Sequence, residues 1–79
     1  MTYTIKKGAT TNVIIDNMNI EIILSNLNSD NVVLNITIDS TDSFLHTVYL
    51  NSSITVLNTT ITLIEINFDS ATIKVEKEI

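Results

Sequence analysis

His46 is the single histidine of this 79-residue chain, the residue type most often used as a general base or metal ligand. It lies in Phe44–Leu50 and shares strand parity with Phe44, Val48 and Leu50. One reading makes it a general base or metal ligand in an apolar pocket. The other makes it a strand histidine at a sheet margin, hydrogen-bonded to backbone. The second is favoured, because no other catalytic group stands at a recognisable spacing from it. Ser and Asp occur without a nucleophile elbow. The single glycine, Gly8, provides no phosphate-cradling loop. The residues therefore predict a non-enzymatic protein.

Metal chemistry has one weak candidate. Asp39-Ser40-Thr41-Asp42-Ser43 is the only acidic cluster in a loop, and Asp39 and Asp42 are its calcium candidates. It lacks the glycine and bidentate Glu of an EF-hand loop, and a solvated turn with local hydrogen bonds is the simpler expectation. Asp30 and Asp69 also sit in turns and join such a site only if the fold brings them close. One His and no Cys cannot supply an ordinary zinc site. No cofactor is expected. Three glycosylation-type triplets begin at Asn35, Asn51 and Asn58. With 10 Asn and 19 Ser plus Thr, chance accounts for them.

Charge says more by its distribution than by its sum of −5. The four basic residues are Lys6, Lys7, Lys74 and Lys77, and Arg is absent. The body between them carries Asp16, Glu21, Asp30, Asp39, Asp42, Glu65 and Asp69. Without a basic stripe, nucleic acid is not a partner. The same shortage disfavours anionic lipid.

These side chains must be carried by strands. The chain holds 14 Ile, 6 Val and 12 Thr, with no Pro, Cys or Trp. β-Branched residues are stiff at χ1 and pack well on a pleated surface. Alternation and polar punctuation predict about seven short strands within the segments Thr2–Lys7, Asn12–Asp16, Asn19–Leu24, Val32–Asp39, Phe44–Leu50, Ser53–Leu57, Thr60–Phe68 and Ala71–Lys77. Ser25–Asn31 reads as a loop. Val32–Asp39 alternates most cleanly, with Val32, Leu34, Ile36 and Ile38 on one face. The parity of Thr60–Phe68 switches at Leu63-Ile64, which predicts a β-bulge. The expected architecture is a single all-β domain over residues 1–79, a small antiparallel β-sandwich or barrel, jelly-roll-like in outline.

An alternative comes from repetition. Similar phrases restart near every twenty residues, at Asn12, Asn31, Ser53 and Thr72. The phrases NVIIDNMNI and DNVVLNITI resemble rungs of right-handed parallel β-helices, over about two thirds of the chain. That resemblance implies a short parallel solenoid.

A domain this small buries only about 60% of the surface its unfolded chain exposes, and often needs a staple. With no disulfides available, a tight aliphatic core or self-association remains. Met1–Gly8 reads as a positively charged strand, either the first strand of its own sheet or an arm added to a neighbour's sheet edge. In the second case Tyr3 and Ile5 contact a sister copy, and Lys6 and Lys7 meet its carboxylates, such as Asp39, Asp42, Glu65 and Asp69. Edges without Gly or Pro favour pairing between chains. The expectation is a self-associating structural or assembly protein, such as a phage virion component or filament subunit. The alternative is a small acidic binding module or inhibitor, a phage-encoded antagonist of a host protein whose carboxylates mimic nucleic acid and fill a basic partner's groove. No signal peptide or membrane segment is legible, which predicts cytoplasmic synthesis followed by assembly into a virion or extracellular filament. Ile- and Asn-rich, Arg-free usage suggests an AT-rich genome.

Overall fold

In the computed structural model, which describes residues 1–77, eight antiparallel strands form two stacked sheets. They are β1 (Thr2–Lys6), β2 (Thr10–Ile15), β3 (Met18–Leu27), β4 (Asn31–Ile38), β5 (Ser43–Tyr49), β6 (Ser53–Val56), β7 (Thr59–Ile66) and β8 (Ser70–Lys77). One sheet has the order β1-β8-β7-β6 and the other β2-β3-β4-β5. About seven strands were expected, and the eight observed fall one on each of the eight segments read from the sequence. Among the described residues no helix is long and apolar enough to cross a membrane.

Tight turns explain the antiparallel pairing. Ile15 pairs with Met18, and Asp16 and Asn17 between them have φ of 51° and 65°. Val56 pairs with Thr59, and Leu57 and Asn58 have φ of 43° and 63°. Two consecutive left-handed residues make the primed turn whose twist matches the strands it joins. Such loops connect antiparallel strands only, so the parallel solenoid is not formed. The strands β2 to β5 and β6 to β8 follow one another as two meanders and β1 closes against β8, an order that differs from the paired Greek keys of a jelly roll. The sandwich is open: β1 and β6 edge one sheet, β2 and β5 the other.

The core is aliphatic. Ile20, Ile22 and Leu24 of β3 and Val32, Leu34 and Ile36 of β4 face Ile61 and Leu63 of β7 and Ile73 and Val75 of β8, all essentially buried. Each such side chain contributes about 1.5–3 kcal/mol relative to exposure. The expected bulge is present, with the β7–β8 register slipping between Leu63 and Glu65. A second slip falls between Leu24 and Asn26, so β3 runs through Ser25 to Leu27 where a loop was expected.

The two halves of the chain repeat one another. Lys7 N donates to Asp69 O at 2.9 Å, and Leu50 N to Asp30 O at 2.8 Å. Gly8 N donates to Leu24 O and Asn51 N to Leu63 O, both at 2.8 Å. Asn28 N donates to Asn31 O and Asn67 N to Ser70 O, at 2.9 and 2.8 Å. The two bulges match as well. Thus β1–β4 and β5–β8 are equivalent units, and each lends its first strand to the other's sheet: β1 pairs with β8, and β5 with β4. Of the two readings of Met1–Gly8, the one formed is the first strand of its own chain's sheet. Ile5, opposite Ala71, lies in the core and is not available to a partner while β1 stays paired.

Candidate interaction surface

The outward faces of the two sheets differ. The β1-β8-β7-β6 sheet presents a carpet of hydroxyls and charges. Thr4 and Thr72 hydroxyls lie 3.1 Å apart, those of Ser53 and Thr62 2.7 Å apart, and Lys74 Nζ lies 3.6 Å from Glu76. The other sheet exposes Ile14, Leu45 and Tyr49 at 71%, 67% and 54%. Alternation places them there: Leu45 pairs with Asn35 and Tyr49 with Asn31, both on the outward parity of β4. The Thr37 and Ser43 hydroxyls are hydrogen-bonded at the end of this face.

The β5–β6 side of the sandwich is the least guarded. No Asp, Glu, Lys or Arg occurs from Ser43 to Ile64, a span that contains both edge strands. Charged residues are the usual protection of a free strand edge. Phe44 and Leu57 are also mostly exposed here.

Between these edges lies a cleft of about 210 Å³. Ile36, Ile38, Phe44, Val56 and Leu57 give its apolar lining, and Thr41, Asp42 and His46 add polar atoms. The repeat explains the opening. Under the equivalence of the halves, Val56↔Thr59 matches Val13↔Ile20, so the β6–β7 hairpin lacks the last two rungs of β2–β3, Ile14↔Asn19 and Ile15↔Met18. At the corresponding seam Ile15 and Tyr3 pack against the core, and the Tyr3 hydroxyl reaches Met1 Sδ at 3.4 Å. His46 and Phe44 stand where that seam has Tyr3 and Met1.

A second cavity of about 280 Å³ borders Ile15, Met18, Leu57, Asn58 and Thr59, with Asp16 and Lys77 ion-paired at 2.6 Å. That pair is well exposed and contributes little. Thr59 is fully buried, and its hydroxyl has no hydrogen-bond partner among the described residues. Its equivalent in the first half is Ile20.

His46 sits opposite Leu34 on the core side of β5, half-buried at this cleft beside Asp42 rather than in an enclosed pocket. Asp39 Oδ1 accepts a hydrogen bond from Asn19 N at 2.8 Å, so this carboxylate is engaged in the turn. Among the described residues no cluster of three or more His, Asp or Glu is placed to hold a metal ion. Asp30 and Asp69 lie at the opposite end of the sandwich from Asp39 and Asp42. Glu21 and Glu65 face outward from different sheets. The carboxylates thus divide between two ends and two faces. Tyr3 is half-buried, while Lys6 and Lys7 are exposed at the corner from β1 into β2. Sequence reasoning passed over Leu45, Tyr49 and Leu57 as contact residues. Their outward parity and the uncharged span around them were the available signal.

Comparison with protein-family models, with curated proteins and with solved structures gives no match.

Proposed function

We propose that this protein is a non-enzymatic assembly subunit that binds further copies of itself along its β5–β6 side. The observation that carries this reading is the uncharged span Ser43–Ile64, which leaves two edge strands and their exposed Phe44, Leu45, Tyr49 and Leu57 without a guarding charge. An edge of that kind pairs with another chain unless charge, proline or a covering element prevents it. Incorporation into a virion or filament is the natural setting for such a subunit. The scattered carboxylates favour this role over an acidic mimic that fills a basic groove. Light scattering across a concentration series tests it. Wild type should grow in mass with concentration, and Leu45→Lys with Tyr49→Lys should return it to the monomer. A wild-type chain that stays monomeric at high micromolar concentration ends the proposal.

A further inference from the structure

The second half departs from the first at both ends of the sandwich. At one end the β6–β7 hairpin is two rungs short, which opens the apolar cleft between β5 and β6. At the other end the β7–β8 hairpin tip is Asn67-Phe68-Asp69-Ser70, where the first half has Asn28-Ser29-Asp30-Asn31. A polar Ser29 is ordinary at such a tip. Phe68 in its place is fully exposed, at 102% of its reference surface. The hairpin closed by Asn67 N to Ser70 O at 2.8 Å holds it out from the fold. A molecule with an apolar knob at one end and an apolar hole at the other can join head to tail.

We propose that Phe68 of one copy inserts into the Ile36–Ile38–Val56–Leu57 cleft of the next. This rests on the self-association reading and names its geometry. The cleft measures about 210 Å³. An apolar cavity of about 150 Å³ already accepts benzene, so a phenyl ring fits. Charge favours the same docking. Lys6 and Lys7 lie at the Phe68 end, where Lys6 pairs with Ser70 and Lys7 N bonds to Asp69 O. Neither lysine has a carboxylate within ion-pair distance among the described residues. Asp42 borders the cleft, and Asp39 is on the same turn. Docking therefore brings Lys6 and Lys7 toward Asp39 and Asp42, an attraction that Asp30 and Asp69 at the Phe68 end partly offset, so the ring in the cleft is the main contact. Knob and hole are different surfaces, so the contact is heterologous. Copies add in one direction, producing an open chain or a ring rather than a closed pair.

Two exposed-site variants test this in the full chain. Phe68→Ser removes the knob and keeps the cleft. Phe44→Asp puts a charge at the cleft mouth beside Asp42 and keeps the knob. Each should weaken self-association about tenfold or more, as loss of a central aromatic anchor does. Thermal melts should show both folded. Mixing them should give a one-to-one heterodimer that does not grow, because one intact knob meets one intact hole. If Phe68→Ser assembles as wild type does, the docking is wrong while self-association stands. If each variant alone is monomeric and their mixture is too, the head-to-tail geometry is wrong. If wild type is itself monomeric, both readings fall.

Discussion

Leu24 and Leu63, 39 positions apart, hold the same place in the two sheets. Each accepts a hydrogen bond from a left-handed corner residue, Gly8 or Asn51, at 2.8 Å. Each also donates back one residue further along that corner, to Ala9 O at 3.3 Å or Ser52 O at 3.1 Å. Both side chains are fully buried beside a bulge. Leu24→Ala and Leu63→Ala should therefore cost alike, about 2–5 kcal/mol each. Either loss is a large share of a small domain's stability, and urea unfolding would expose any inequality.

The corners give a backbone prediction. Gly8 has φ of 83°, and a Cβ built there meets nothing within 4 Å. Gly8→Val should then destabilise through backbone strain alone, by about 1–2 kcal/mol. Gly8→Asn should cost less, because the equivalent corner already holds Asn51 at φ 65°. Matching losses in the two variants would show that steric crowding or the native pairing, not φ, decides the position.

Leu57 occupies a left-handed position at φ 43°, which suits Asn or Gly and not a bulky side chain. Leu57→Asn should raise the unfolding midpoint, adding about 1 kcal/mol of stability, because a left-handed backbone costs most residues about 1–2 kcal/mol and Asn less. The same change removes apolar lining from the β5–β6 cleft and should weaken self-association. Opposite signs in the two measurements would mark Leu57 as a residue kept for contact rather than for folding.

Thr59 carries a buried hydroxyl with no partner among the described residues. Its counterpart Ile20 shows that the site accepts an aliphatic side chain. Thr59→Val should stabilise the protein by about 1 kcal/mol, since an unsatisfied buried hydroxyl costs about that much or more. A destabilised Thr59→Val variant in chemical denaturation would mean that the hydroxyl is satisfied in solution.

The sequence by itself determined the strands, several of their faces and one irregularity. Val32, Leu34 and Ile36 are buried because strand alternation is a local property of period two. The bulge after Leu63 was legible because a parity switch in one strand leaves a local trace. Phe68 was expected at the end of a strand, but β7 stops at Ile66 and leaves it on the hairpin tip. Tertiary structure alone decided that β1 pairs with β8, that the repeat is a forty-residue unit with an exchanged first strand rather than a twenty-residue coil, and that two missing rungs open a cleft. These depend on which distant strands meet. Between Ile20–Ile38 and Thr59–Lys77 the halves share only Ile22 with Ile61, Leu24 with Leu63, Asn28 with Asn67 and Asp30 with Asp69. Many aliphatic side chains fill equivalent core sites equally well, so the backbone symmetry survives where the letters do not.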